Sequence, residues 1–256
     1  MPSSFTFSTK AHIIDSIPTN TQQLVQDADG FLTEILKTWK KNKTYNYKLH
    51  NGSKEAVTTY GKTIDGEYWL ARISQHNKNK HSDFVKHLVG ERDAEGNVKD
   101  VYTHSKNETK YIEVLDKWEP IPLDSYPGFA QHANKEQLER EWVSIKAFYE
   151  LGAPLTTREF NEFLFVQPPV ANDSTQTGYV IQLVADKALE SSNVRGLYCS
   201  IERVRLLENG ETEWIMCTTS DSGGNVPKWL QNSMISKSVS GDVPGFLNWL
   251  NANVDN

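Results

Sequence analysis

What this 256-residue chain lacks removes several classes of function. It has no basic excess: 27 Lys and Arg stand against 33 Asp and Glu, a formal net charge of −6, whereas nucleic-acid binders usually carry the opposite sign. The same balance disfavours bulk adhesion to anionic membranes and leaves room only for a local basic patch. No apolar run approaches the roughly 18 residues that mark a membrane span. The opening MPSSFTFSTK holds no run long enough for a signal peptide. Cysteine is reduced to Cys199 and Cys217, each inside an apolar-alternating stretch. Their spacing fits no zinc, redox or Rieske-type iron–sulfur pattern, so two buried reduced thiols and a cytoplasmic location are expected. The sequons at Asn42, Asn51, Asn107 and Asn172 then read as chance matches in polar turns. H-E-x-x-H, G-x-S-x-G and Walker loops are missing too. His76 and His81 are expected at the surface of a polar loop, and His87 has no acidic partner at metal spacing. No metal and no cofactor is expected.

What is present is ordinary globular composition, 38% hydrophobic and 23% charged, enough for one large α+β domain. Residues 1–20 read as an irregular segment and 21–256 as the domain. Leu24, Ala28, Phe31, Ile35 and Trp39 recur at helical spacing after a cap at Asn20 or Thr21. Lysines 37, 40, 41 and 43 crowd the end of that helix, where they suit its negative pole. Alternation marks strands at Tyr45–Leu49, Ala56–Tyr60 and Tyr68–Ile73, the last two joined by the turn Ile64-Asp65-Gly66. A short helix is expected over Ser82–Val89, a strand over Tyr111–Trp118, and a long loop over Glu119–Ala133. Strand-like runs follow at Trp142–Tyr149, Arg158–Val166, Tyr179–Ala185, Val194–Leu207 and Glu213–Thr219. A final helix starts at Pro227 and carries Val243, Phe246, Leu247 and Leu250. Gly241, Pro244 and Gly245 predict a break or kink in it. The order is helix, three strands, short helix, about six strands, long helix. A curved antiparallel sheet gripping its C-terminal helix is the economical arrangement, and it leaves space for a small hydrophobic ligand.

Three stretches resemble the START (StAR-related lipid-transfer) family of helix-grip fold. They are Leu151-Gly152-Ala153-Pro154-Leu155-Thr156-Thr157-Arg158-Glu159-Phe160, the strand from Val194-Arg195-Gly196-Leu197-Tyr198 through Glu202, and Asp221-Ser222-Gly223-Gly224-Asn225-Val226-Pro227-Lys228-Trp229. The last is similar to the family's junction into the C-terminal helix, with Ser222 where many members have proline. Trp69-Leu70-Ala71-Arg72-Ile73-Ser74-Gln75-His76, Asn107–Ile112 and Asp242–Trp249 resemble an uncharacterised fungal START-like group. The resemblance implies non-catalytic binding of one lipid between sheet and helix, transient contact with a membrane surface, and a lid at Gly152, Ala153, Pro154 and Leu155.

A lipid reader needs an apolar wall and a few inward polar groups, because an unpaired buried polar group costs about 1–3 kcal/mol. Arg72, Lys146, Glu202 and Arg203 interrupt the strand patterns and are the candidates; each alternatively faces solvent on the convex side. Lys146 shares a face with Trp142, Ser144 and Phe148, while Arg203 lies opposite Glu202. Tyr198, Trp214, Trp229 and Met234 complete the expected lining, with Trp229 alternatively a plain core anchor. A cation beside aromatics suits a phosphate headgroup, so phospholipid comes first and sterol second. The alternatives are a cyclase-like enzyme using Glu202 or Tyr198 as acid or base, and a lipid-sensing regulatory module. The expected protein is a monomer with no nucleic-acid partner, cytoplasmic and peripheral at membranes.

Overall fold

The stripe Leu24, Ala28, Leu32 and Ile35 is the buried face of α1 (Thr21–Thr38), whose N-terminus is capped by Asn20 accepting from the Gln23 N–H at 3.0 Å. The computed structural model describes residues 4–77, 80–152, 156–170, 173–189, 191–224 and 228–253, without the side chains of 228–231, 233 and 234. Among the described residues, nine strands form one antiparallel sheet in the order β1-β2-β3-β9-β8-β7-β6-β5-β4. The strands are β1 (Lys40–Lys48), β2 (Lys54–Ile64), β3 (Glu67–His76), β4 (Leu115–Ile121), β5 (Trp142–Tyr149), β6 (Arg158–Gln167), β7 (Gly178–Val184), β8 (Val194–Leu206) and β9 (Thr212–Asp221). First and last hairpins meet where β3 pairs β9, so the chain's three early strands and six later ones make one surface. The β2–β3 turn has Asp65 at φ 50° and Gly66 at φ 84°, the double left-handed geometry that a two-residue hairpin needs.

Both faces of this sheet are covered, which is why β6 to β9 read as nearly continuous burial rather than clean alternation. One set of alternate residues (Trp69, Ala71, Phe163, Ile181, Ile201 and Cys217 among them) packs with α1 and with Phe7, Ile14 and Ile17 of the N-terminal segment. The other set (Leu164, Val166, Val180, Val204 and Trp214) packs with Val243, Phe246, Leu247 and Leu250 of the C-terminal helix α5, Lys228–Asn253. The helix-grip arrangement is therefore present. Three shorter helices lie between: α2 (His81–Phe84) running into a π-turn over Val85–Val89, α3 (Thr103–Tyr111) and α4 (Lys135–Glu141).

Two expectations need correction, and one helix had not been expected. Tyr111–Trp118 is not one strand: α3 ends at Tyr111 and β4 starts at Leu115. The reason is that α3 buries His104, Ser105 and Asn107 rather than apolar residues, so it has no hydrophobic period to read. The unexpected helix, α4, buries only Leu138 and gave no periodic signal. The second correction is that α5 runs unbroken through Pro244. Gly245 has a packing role instead. A Cβ there would stand 2.6 Å from the Tyr111 carbonyl oxygen, so its bare backbone lets α5 lie against the end of α3. A Cβ at Gly241 would meet open space.

Gly245→Ala should therefore destabilise the fold by about 1–3 kcal/mol through overpacking, while Gly241→Ala should stabilise it by about 0.5–1 kcal/mol. Urea denaturation of the two variants checks both signs.

Candidate functional site

Alternation along three central strands brings polar side chains to the face beneath α5: Tyr68 and Arg72 of β3, Tyr198, Ser200 and Glu202 of β8, and Met216, Thr218 and Ser220 of β9. With Tyr149, Phe160 and Gln182 from β5 to β7 they wall a cavity of about 340 Å³. Ile235, Val239 and Asp242 of α5 roof it, and His104, Glu108, Tyr111 and Ile112 close one end.

At the centre of the cavity wall is a buried charge cluster. The Arg72 Nη2 donates to Glu202 Oε1 at 3.0 Å, and Trp214 Nε1 donates to the same oxygen at 2.9 Å. The Arg72 guanidinium lies 3.8 Å from the Trp214 ring centre, a cation–π contact in a desolvated setting. His104 Nδ1 bonds the Leu88 carbonyl at 2.7 Å and lies 3.7 Å from Glu202 Oε2; its Nε2 is 3.2 Å from Glu108 Oε1. Burial alone would lower the His104 pKa, but Glu108 and Glu202 overcome it and raise it to about 9. His104 is thus an imidazolium at neutral pH, and both ring nitrogens donate. Burial pushes the Asp242 carboxyl up; Arg72 opposes and Glu108 and Glu202 add to the rise, leaving it at about 7. Beside this cluster Ser200 Oγ donates to Gln182 Oε1 at 2.6 Å, and Gln182 Nε2 donates to Glu162 Oε2 at 3.0 Å. Burial holds the Glu162 carboxyl well above its ordinary range.

Arg72 itself is 2% exposed, and its Nε and Nη1 have no acceptor among the described residues. The cavity wall thus holds a buried guanidinium with two unaccepted nitrogens, a carboxyl that changes charge near neutrality and several aromatic rings. Among the described residues no group of His, Cys, Asp and Glu is arranged to hold a metal ion. No helix among them is long and apolar enough to cross a membrane.

A family model described as "Protein of unknown function (DUF3074)" matches residues 69–250, from the second half of the first hairpin set to the anchored end of α5. The chain belongs to the DUF3074 family. No curated protein matches it. Among solved structures, this DUF3074 chain is similar to human StAR-related lipid transfer protein 5, with TM-score 0.59 and 12% identity over 91% of this chain and 98% of that one. It is also similar to human STARD10, with TM-score 0.58 and 10% identity over 94% of this chain and 85% of that one. A third likeness is to the lipid transfer and protein localization domain of human StarD13, at 0.55 and 12% over 88% and 95%. At such identities the likeness is one of fold: the DUF3074 chain has the START helix-grip architecture.

The residues singled out from sequence divide between the faces of the DUF3074 sheet. Arg72, Tyr198 and Glu202 line the cavity; Trp214 stands behind them as the ring under Arg72. Lys146 does not line it. It shares its face with Trp142 and Ser144, which pack on the α1 side, because β5 residues of that parity point away from α5. Arg203 also points away from the cavity, but not into solvent: it pairs with Asp29 of α1 and with Glu213 at 2.9 Å. Gly152 sits in a second cleft with Glu150 and Thr156. The lid positions Ala153, Pro154 and Leu155, and the side chains of Trp229 and Met234, lie outside the described residues.

His76 and His81 are buried rather than superficial. His76 Nε2 is 2.8 Å from Ser74 Oγ and its Nδ1 is 3.1 Å from Glu55 Oε2, the order of a nucleophile–base–acid triad. The serine is 2% exposed and does not line the cavity, and the Phe84 ring lies 4.7 Å from His76, so no carbonyl substrate reaches it. Sequence reading missed His104, Glu108, Gln182 and Asp242. Two signals were available: the four-residue step from His104 to Glu108, and Asp242 in the apolar series Val239, Val243, Phe246.

The two shifted groups make stability pH-dependent in separate windows. Folded Asp242 keeps its proton up to about 7 while the unfolded carboxyl loses it near 3.8, so its contribution is complete below 3.8 and is lost by about 7. Folded His104 stays charged to about 9 against 6.5 unfolded, so its contribution is complete below 6.5 and is lost by about 9. Asp242→Asn should gain stability on the wild type progressively between those first two values and hold the gain above them. The deficit of His104→Gln should shrink between the second two. Chemical denaturation across pH measures both; parallel curves for wild type and either variant would refute the corresponding assignment.

Proposed function

We propose that the protein binds one neutral amphipathic lipid in the cavity beneath α5, with the polar end on Arg72 and the apolar body along Tyr149, Phe160, Met216 and Val239. The observation that carries this reading is the pair of buried, unaccepted donor nitrogens on Arg72, Nε and Nη1. A buried donor without an acceptor costs about 1–3 kcal/mol, and a ligand oxygen placed there removes that cost. Each ligand methylene shielded by the walls adds about 0.8 kcal/mol. Two of the START-fold neighbours are lipid transfer proteins or domains, which favours the same class of ligand. Carriage between membranes, peripheral work on their cytoplasmic side and function as a monomer belong to this reading.

Charge and size both favour a hydroxyl over a phosphate head. Arg72 and His104 are already matched by Glu202 and Glu108, so an added phosphate would face carboxylates as well as cations. A hydroxyl can accept from Arg72 and donate to Asp242. An apolar cavity of about 150 Å³ takes one benzene, so about 340 Å³ suits a fused-ring or single-chain lipid. Sterol-like ligands therefore come ahead of two-chain phospholipid, the reverse of the order drawn from sequence.

A second reading, catalysis on the bound lipid, is favoured by one observation. Two cavity carboxyls sit in opposed environments: Glu202 is clasped by Arg72 and Trp214, and Asp242 holds its proton to about 7. Tyr198 is pushed well above its ordinary pKa by burial and acts there as a neutral donor, not a base.

The protein is incubated with liposomes containing a sterol, a monoacylglycerol and phosphatidylcholine, and retained lipid is read by native mass spectrometry. One hydroxylated lipid per chain is expected, with no adduct in Val239→Trp. Arg72→Met/Glu202→Leu, which removes the ion pair together, should weaken the hydroxylated ligand about ten-fold and leave its deoxy analogue unchanged. No adduct with the wild type, or equal loss of both ligands, would sink the reading. Chemical conversion of the recovered lipid, abolished in Asp242→Asn, would establish the catalytic one.

A further inference from the structure

A local excess of positive charge lies at one edge of this acidic chain. Between residues 37 and 62 there are seven lysines and a single acid, Glu55, in a protein of net charge −6. Lys40, Lys41, Lys43 and Lys48 lie on β1, the edge strand, and are exposed. Lys37 comes from the end of α1, and Lys54 and Lys62 from β2 beside it. The register brings them together: Lys40 pairs with Gly61 next to Lys62, and Lys48 pairs directly with Lys54. The neighbouring acids are engaged, Glu34 with Lys37 at 3.3 Å and Glu55 with His76 at 3.1 Å.

Lysines on an edge strand also prevent pairing with other chains. That purpose is met by charges on the strand itself. It requires neither Lys37 on the helix nor Lys54 across from Lys48, where like charges directly opposite weaken the hairpin. The excess calls for an anionic surface broad enough to meet a helix end and two strands at once. Two further features fit a bilayer better than a nucleic acid. Leu36, beside Lys37, is 60% exposed, an apolar side chain in the middle of the cations. Tyr45 and Tyr47 are stacked with ring centres 6.1 Å apart, and Lys43 lies 4.7 Å from the Tyr45 ring. Lysine interleaved with tyrosine and leucine is the composition of a membrane–water interface.

We propose that β1, with the adjoining end of α1 and the start and middle of β2, is the surface by which the protein docks on an anionic lipid bilayer. The proposal rests on the lipid-cavity reading for its purpose, and the connection is direct. Asn42, among these lysines, donates from Nδ2 to the Tyr68 hydroxyl at 2.9 Å, and Tyr68 is a cavity wall. Tyr45 and Tyr47 bond Ser236 and Ser240 of α5 at 3.2 and 2.6 Å. Docking through β1 holds the wall and roof of the cavity beside the membrane that supplies or receives its ligand.

The test is co-sedimentation of the full chain with vesicles of phosphatidylcholine, with and without phosphatidylserine. Each lysine near an anionic surface is worth on the order of five-fold in partition, so Lys40→Gln/Lys41→Gln/Lys43→Gln should bind phosphatidylserine vesicles about a hundred-fold less. Wild-type binding should fall with added salt. Lys99→Gln/Lys106→Gln/Lys135→Gln, elsewhere on the surface, should bind as wild type. Val239→Trp, with its cavity filled, should also bind as wild type, so docking is read independently of the cavity's cargo. The proposal is overturned by partition insensitive to phosphatidylserine, or by equal losses in the two lysine triples. It is overturned as well if the β1 triple instead abolishes binding to a single-stranded oligonucleotide while vesicles are ignored.

Discussion

Everything in this molecule is arranged around a guanidinium taken out of water. Arg72 sits in the middle of a central strand with both sheet faces covered, where an isolated charge could not persist. It is neutralised by Glu202, and Glu202 is fixed in turn by the Trp214 indole N–H, with the His104 imidazolium at its other oxygen. Buried ion pairs of this kind add little net stability over a hydrophobic filling, yet removing one member is costly. What the cluster supplies is specificity of position. It fixes the guanidinium in the cavity wall, with Nε and Nη1 buried and without an acceptor among the described residues. A polar wall facing a short stretch of helix keeps the cavity open.

The two faces of the sheet carry buried arginines with different outcomes. Arg203, one residue along from Glu202, points to α1 and pairs with Asp29 and Glu213, so it is a structural tie between helix and sheet. Arg72, on the opposite face, keeps donors in reserve. The same residue type is spent on cohesion on one side and left available on the other, and the period of the strand decides which. Asp242 belongs with the second group. It is the one acidic side chain that α5 turns to the cavity, and its titration is shifted upward first by burial and further by Glu108 and Glu202 beside it.

The sequence made the architecture legible because alternation and helical spacing were strong where they mattered. The stripe Leu24, Ala28, Ile35 announced α1, and three early strands followed by six gave the gripping sheet. Arg72 and Glu202 were legible as charges in otherwise apolar strands. Lys146 and Arg203 showed the limit of that reasoning: parity says which residues share a face, but not which face meets the helix. The tertiary packing of Trp142 and of Asp29 settles it. The closing end of the cavity was illegible for a different reason. Helix α3 buries histidine, serine and asparagine, the first and last of them bonded to the Leu88 and His87 carbonyls, so its inward side looks like a surface. With Gly241 and Pro244, Gly245 predicts a break or kink because glycine in a helix has two meanings, flexibility and close approach, and only the neighbouring Tyr111 carbonyl distinguishes them. The fungal grouping continues to rest on sequence motifs alone.

Helix α5 is held unevenly, and this bears on how a cavity sealed by it can exchange a ligand. From Val243 to Leu250 it is packed among Phe84, Val204, Trp214 and Tyr111, with Phe246 ring centres 5.0 to 5.4 Å from three of those aromatics. From Ile235 to Asp242 its apolar contact shrinks to Ile235 and Val239 against Leu70 and Met216, supplemented by hydroxyl bonds from Ser236 and Ser240 to Tyr45 and Tyr47. Burial free energy scales with apolar area, so the second segment is the cheaper to detach. The hydroxyl bonds holding it end on β1, the strand that carries the lysines, and on Thr59 of β2, whose Oγ1 lies 3.1 Å from Ser236 Oγ. An event at that edge which disturbs Tyr45 and Tyr47 acts on the weakly held half of the roof while the firmly packed half keeps the fold intact.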